Sequence, residues 1–303
     1  MKILLTGGFG YLGQSFIKKY MYCHEIIVFN KNSIIKPKSH SKVITEIGTV
    51  ESNDVENIIK KHKPEVVIHL AALSGLKKCE DNPSEAFMMN VFGTLNVVKA
   101  CISEKCKLIF LSSREVYGET IKNESSEDDP LNPVNIYGLT KSLSENIIQF
   151  FSRNHNLNYI ILRLTNVYGP GGGVKGVNRI IDNALRKNHI QINGDGNQTL
   201  NLIFIEDVID LLNQIIENKK ISNDIFNVGS ENTITINQFS QFVSSTLNNK
   251  IKIEYFPKIP YENIYFKPKL TKLKEILKFQ PNFSLNHGLE KTIQSYQNDI
   301  DHG

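Results

Sequence analysis

Short, nearly uninterrupted apolar runs alternate along the chain with stretches whose apolar residues recur every three to four positions. Lys2–Leu5, Glu25–Phe29, Val43–Ile47, Val66–Leu70, Leu108–Leu111 and Tyr159–Leu164 read as strands. Between them Leu12–Tyr20, Asp54–Lys61, Asn90–Ser103 and Tyr137–His155 carry the period of helices with one buried face. Strands that are apolar on both faces, each followed by a helix, predict a parallel sheet covered on both sides. The expected fold is α/β, a Rossmann-type doubly wound parallel sheet. Ligands of such sheets bind where the strands end. Gly7, Ala71, Ser113 and Arg163 all fall at those ends.

After Val167 the pattern loosens. Gly169–Gly173 is a glycine-rich turn, and Val177–Leu185 reads as a helix. Leu202–Ile205 and Val208–Ile216 read as a strand and helix that rejoin the sheet, and Glu231–Phe283 as a small α+β cap before an amphipathic C-terminal helix. The expected division places residues 1–165 and a return segment 202–230 in one domain. Residues 166–201 and 231–303 form a smaller α+β C-terminal lobe.

Composition adds exclusions. The 303 residues carry a net charge of +4 from scattered lysines, with no dense basic block beside exposed aromatics, which argues against a nucleic-acid partner. No apolar run approaches the roughly 18 residues of a membrane span, and the start is too short for a signal-peptide core. Cys23, Cys79, Cys101 and Cys106 form no C-x-x-C pair, and the histidines show no ligand spacing. The expectation is a reduced, metal-free, cytoplasmic protein whose cysteines pack as small hydrophobes.

The chemistry begins at the first strand–helix turn, Thr6-Gly7-Gly8-Phe9-Gly10-Tyr11-Leu12-Gly13. Closely spaced glycines let the backbone approach a pyrophosphate, and the helix start offers it unpaired N–H groups. Far downstream, Tyr137 and Lys141 stand four apart on one helix, hence on one face. A free phenol has a pKa of about 10; a neighbouring ammonium is expected to pull it down. Ser113, closing the strand before Arg114-Glu115-Val116-Tyr117-Gly118, can converge with Tyr137 on one substrate oxygen.

With these residues the chain resembles the extended short-chain dehydrogenase/reductase family, in its nucleotide-sugar epimerase, dehydratase and reductase group. Val66–Ala72, Asn90–Thr94, Arg163–Pro170, Gly194–Gln198, Phe226–Gly229 and Thr271–Leu277 are similar to family landmarks in order. The resemblance implies a dinucleotide-binding first domain and a substrate-binding second lobe. It implies Tyr137 as general acid/base, Ser113 as hydrogen-bond partner of the reacting oxygen and Lys141 as ribose anchor. Gly7, Phe9, Gly10, Tyr11, Leu12, Gly13, Asn30, Lys31, Leu70, Ala71, Ala72 and Asn90, with Tyr137 and Lys141, are its cofactor-binding positions. Ser74, Arg114, Glu115 and Asn166 are its substrate-binding positions.

Two departures shape the expected reaction. Similar 4,6-dehydratases carry Asp-Glu where this chain has Arg114-Glu115, so the acid that would protonate a leaving hydroxyl is missing. Leu200 replaces an Arg that commonly binds the diphosphate. The resemblance therefore implies NAD(P)-dependent hydride transfer at C4 of a nucleoside-diphosphate hexose, by a 4-ketoreductase or a 4-epimerase. A 4,6-dehydratase, a reductase of a smaller ketone and a non-catalytic dinucleotide sensor stand as alternatives. Asn30, about 20 residues past the glycines where NAD enzymes place an acid, does not repel a 2′-phosphate, and Lys31 attracts one. That favours NADP(H) over NAD(H), and with it the ketoreductase. Apolar stripes (Val91, Leu95 and Val98; Leu143, Ile147, Phe150 and Phe151) imply a homodimer through a four-helix bundle, as in similar enzymes.

Overall fold

The computed structural model describes residues 1–32, 42–120, 124–173, 176–248, 250–262 and 265–301. The first half of the chain follows the hydrophobic pattern closely. In order it forms β1 (Lys2–Thr6), α1 (Tyr11–Tyr20), β2 (Glu25–Asn30), β3 (Val43–Ile47), α2 (Asp54–His62) and β4 (Val66–His69). Then come α3 (Leu76–Asp81), α4 (Pro83–Ala86), α5 (Gly93–Glu104), β5 (Lys107–Ser113), α6 (Ile136–His155) and β6 (Tyr159–Leu164). The second half forms β7 (Asn166–Tyr168), α7 (Asn178–Lys187), β8 (His189–Asn193), β9 (Thr199–Phe204), α8 (Ile205–Glu217) and β10 (Asp224–Val228). It ends with β11 (Thr233–Thr235), α9 (Ile236–Thr246), β12 (Lys252–Phe256), α10 (Thr271–Leu277) and α11 (Leu285–Asp301).

Backbone proximity groups these elements into two units. One comprises Met1–Val116, Asn135–Arg163 and Asn213–Phe226; the other Tyr117–Val134, Leu164–Leu212 and Asn227–Gly303. The first unit is built on a seven-stranded sheet in the order β10-β6-β5-β4-β1-β2-β3. Strands β1, β2, β4, β5 and β6 are buried on both faces, and β3 forms a more exposed edge. Leu4, Ile27, Val67, Leu108 and Ile161 pack with Val55 and Ile59 of α2, Val97 and Val98 of α5 and Ile148 of α6. Each such side chain contributes about 1.5–3 kcal/mol by leaving water.

The long α6 helix is well bounded. Asn135 at its N-cap is extended, and its Oδ1 accepts from Gly138 N at 2.7 Å. Asn156 ends it in the left-handed region at φ 56°, a role to which Asn is suited. Ahead of α5 the helix widens into a π-helical segment, Phe87–Phe92. The run Pro83–Glu104 is long and apolar enough to cross a membrane, against the sequence expectation. Val97, Val98, Ala100 and Cys101 on it lie in the core beneath the sheet, the pattern of a core helix. Val98, expected on a dimer stripe, is one of these; Met88, Phe92 and Phe150 are the apolar residues left exposed on these helices. Of the cysteines, Cys79, Cys101 and Cys106 are buried as expected, whereas Cys23 is exposed.

The second unit holds a three-stranded sheet, β11-β9-β7, and a parallel pair, β12-β8. Tyr168, Ile181, Ile190, Phe239 and Leu289 share its core with Leu200, Leu202 and Phe204. This corrects two expectations. Leu202–Ile205 does not rejoin the parallel sheet; β9 pairs with β7 and β11 because alternate residues Leu200, Leu202 and Phe204 bury into the second unit's core. The strand that completes the large sheet is β10, so residues 202–212 group with the second unit. Segment 117–134 joins that unit too. Asn227 ties it down: its Oδ1 accepts from Tyr117 Oη at 2.7 Å, and its Nδ2 donates to the Ser125 carbonyl at 2.9 Å.

Candidate active site

The glycine turn is fixed by backbone contact. Gly7 adopts φ 66°, donates to Phe29 O at 2.8 Å and accepts from Gly10 N at 2.9 Å. A Cβ on Gly7 would stand 2.8 Å from the Ala71 backbone, and one on Gly13 would stand 2.3 Å from Gly8 O. The turn therefore packs α1 directly on β1 and β4. Gly10 caps α1 without a side-chain bond, and the first turn of α1 has no acidic residue. Its N–H groups and positive dipole end are thus left for an anion, which fits the pyrophosphate of a dinucleotide. Phe9, Tyr11 and Leu12 are half-buried around this turn.

A buried relay sets the end of β4 against it. Ala71 N donates to Thr6 Oγ1 at 3.2 Å, and that hydroxyl lies 2.6 Å from His69 Nδ1. His69 Nε2 lies 3.1 Å from Thr94 Oγ1, which donates to Asn90 O. Since Thr94 spends its one proton on Asn90 O, it accepts from Nε2–H, and the neutral imidazole takes the Thr6 hydroxyl proton at Nδ1. Burial, with Lys141 adding to it, lowers the His69 pKa to about 3. Asn90 is itself spent on the protein: Oδ1 accepts from Leu73 N at 2.7 Å, and Nδ2 donates to Leu73 O and to Thr140 Oγ1 at 2.9 Å. Its buried amide fastens the strand-end loop to α6, and the π-helical segment aims it there. Leu70, Ala71 and Ala72 are half-buried, and Ser74 is exposed beyond them.

Ser113, Tyr137 and Lys141 come together at the carboxyl end of β5. Ser113 stands beside Tyr137, and its Oγ accepts from Glu115 N at 3.2 Å. Lys141 Nζ donates to Leu111 O at 2.7 Å and lies 4.6 Å from the centre of the Phe110 ring and 5.9 Å from that of Tyr137. The Tyr137 ring packs against Leu73, Cys79 and Ala86. Burial, reinforced by Cys79 and Glu115, pushes its phenol well above the ordinary value, with neighbouring Ser113 opposing. The expected lowering by Lys141 is not seen, because Lys141 is itself buried and drawn down to about 8. The phenol is a held proton.

Arg114 and Glu115 follow in a buried 3-10 turn. Arg114 Nη2 lies 3.2 Å from Glu115 Oε1, and Glu115 Oε2 accepts from Asn135 Nδ2 at 2.9 Å. Glu115 thereby holds the cap of the helix that carries Tyr137, a link that residue spacing did not reveal. At the end of β2, Asn30 Nδ2 donates to Asn32 O at 3.0 Å, and Lys31 is exposed. Asn166 opens β7 in the second unit, where its Oδ1 is buried without a partner among the described residues. Leu200 is buried in that unit's apolar core.

A doubly wound sheet with an uncapped glycine turn and a Ser-Tyr-Lys cluster at the end of β5 defines a dinucleotide-dependent enzyme. The family model described as the NAD dependent epimerase/dehydratase family matches residues 3–229. The chain belongs to that family and is an enzyme of the extended short-chain dehydrogenase/reductase type. A UDP-N-acetyl-alpha-D-glucosaminuronate decarboxylase of Bacillus cytotoxicus is 29% identical, over 98% of each chain. A putative UDP-glucose 4-epimerase of Methanocaldococcus jannaschii is 28% identical, over 98% of this chain and 99% of its own. The structure of a UDP-glucose 4-epimerase of Thermotoga maritima with UDP-glucose matches with a TM-score of 0.92 and 28% identity, covering 99% of this chain and 100% of that one.

Proposed function

We propose that this enzyme oxidises C4 of a nucleoside-diphosphate hexose and returns the hydride to the opposite face, as an NAD-dependent 4-epimerase. The observation that carries the proposal is Ser113 beside Tyr137 at the end of β5, with Lys141 Nζ 5.9 Å from the centre of the Tyr137 ring and donating to Leu111 O. The glycine turn and the start of α1 would hold the pyrophosphate of NAD, with Lys141 at the adjoining ribose. NAD, when bound, supplies the hydride acceptor. Ser113 would orient the C4 oxygen, and Tyr137, whose phenolate the positive nicotinamide of bound NAD would favour, would take its proton and then give it back. Ser74 and Asn166 are assigned to the substrate.

The relatives named as 4-epimerases support this reaction. Dehydration is disfavoured because Arg114, bound to Glu115, stands where an acid is required. A second reading, decarboxylation, rests on the Bacillus relative named as a decarboxylase. The preference for NADP(H), and with it the ketoreductase, rests on Asn30 and Lys31 alone; family membership favours NAD.

The test is direct. Purified protein incubated with UDP-glucose or UDP-N-acetylglucosamine is expected to yield the C4 epimer by NMR, with no net change at 340 nm. Stoichiometric NADPH oxidation by a 4-keto sugar nucleotide would establish the ketoreductase instead, and carbon dioxide release from a UDP-hexuronate the decarboxylase. Calorimetry with both cofactors is expected to give tighter binding of NAD than of NADP. If NADP binds more tightly and Lys31→Ala removes the difference, the assignment of cofactor is reversed.

We further assign the exposed Met88, Phe92 and Phe150 to a homodimer interface. Light scattering is expected to report a dimer for the wild type and a monomer for Phe92→Glu/Phe150→Glu. A monomeric wild type at micromolar concentration overturns this.

A further inference from the structure

Three consecutive residues at the end of β5 each meet α6. Ser113 stands beside Tyr137, Leu111 O accepts from Lys141 Nζ at 2.7 Å, and Ser112 Oγ donates to Glu145 Oε1 at 2.5 Å. Tyr137, Lys141 and Glu145 follow one another at four-residue steps and so share a face. Only the first two have a part in the proposed chemistry. Glu145 is fully buried and gripped from β6 by Arg163, whose Nε lies 3.1 Å from Oε1 and whose Nη2 lies 2.8 Å from Oε2. Buried ion pairs contribute little net stability, since desolvation offsets their attraction. Such a pair, next to a buried lysine, suits a different task.

We propose that Glu145, held by Ser112 and Arg163, is a positioning residue that keeps the Lys141 ammonium charged and seated on the Leu111 carbonyl beside Tyr137. The surroundings of Lys141 leave this to Glu145. From β5 it faces the Phe110 ring, from α3 the Cys79 thiol and from β4 the neutral His69; α6 supplies Tyr137 and Glu145. Arg163 stands on the far side of Glu145 and balances its charge. Burial favours loss of the lysine proton, and Glu145 is the largest influence against that loss. The two neighbours therefore act with opposite sign. Without the Glu145 charge the ammonium loses support; without the Arg163 charge it meets an uncompensated carboxylate and less repulsion.

The proposal takes its purpose from the reading of Lys141 as a ribose anchor, but its test is independent of turnover. In protein carrying 13Cε-labelled lysine, the Lys141 signal is assigned by its loss in Lys141→Met and titrated by NMR. The wild-type midpoint is expected near 8. Glu145→Gln is expected to lower it by about one unit or more, the scale of an opposite charge nearby. Glu145→Asp should recover most of that shift, and Arg163→Gln should raise the midpoint. Calorimetry of NAD against Glu145→Gln should show affinity falling at a correspondingly lower pH. An unchanged midpoint in folded Glu145→Gln, shifts of the same sign in both variants, or a wild-type midpoint near the ordinary 10.4 overturns the proposal. Should Glu145→Gln not fold, the wild-type midpoint and the sign in Arg163→Gln decide. An enzyme with a different reaction but these shifts leaves the positioning role intact.

Discussion

Tyr137→Phe is expected to lower turnover by a factor of about 10²–10⁴, the usual contribution of a positioned acid/base group, while NAD binding changes by less than a few-fold. The split follows from the two halves of the side chain. The ring packs against Leu73, Cys79 and Ala86, and Phe keeps that contact. The hydroxyl, beside Ser113, is the only part removed. Because the phenol lies well above its ordinary pKa, it is protonated throughout the neutral range and is available as a donor. Turnover of the variant within a few-fold of wild type, measured by C4 epimer formation, removes Tyr137 from the mechanism.

Gly13→Ala is expected to abolish retention of NAD and to lower the melting temperature. A Cβ there would stand 2.3 Å from Gly8 O and 2.6 Å from Gly8 C and Cα. These are backbone atoms of the turn that supports the pyrophosphate, so relief requires α1 to lift from β1. Overpacking of this kind costs about 1–3 kcal/mol, and the lift also removes the aligned N–H groups. Gly173→Ala is the matched control: Gly173 has φ 58°, but a Cβ there meets nothing within 4 Å. Its cost is the roughly 1–2 kcal/mol of a left-handed non-glycine residue, without effect on NAD. Equal loss of NAD from both variants, by absorbance of the purified proteins, counts against the glycine turn as the seat.

The contrast between the two units explains what could be read from residues alone. Strands buried on both faces announce themselves as unbroken apolar runs, and β1, β2, β4, β5 and β6 do so. β9 is also buried from Leu200 to Phe204, and its apolar residues do not reveal which partners cover it. Segment 117–134 joins the second unit through Asn227 and backbone bonds, which no hydrophobic period records. Ser113, Tyr137 and Lys141 were legible because strand-end position and helical spacing bring them together. Asn90 was legible as a position but not as a partner: the π-helical segment turns its amide onto Leu73 and Thr140. Val98 belonged to an apolar stripe wider than a single interface, and the core took it.

The relay through Thr6, His69 and Thr94 has a bearing on kinetics. With its pKa near 3, the imidazole remains uncharged wherever the folded enzyme can be assayed. It serves as a fixed spacer between the first strand and the helix start, and it is silent in any titration of activity. A pH–rate limb somewhat above neutrality, which in most enzymes invites assignment to a histidine, is expected here from the ammonium at Lys141, drawn down by burial to about 8. Solvent-exchange or diethyl pyrocarbonate experiments that find a responsive histidine will be reporting on another one.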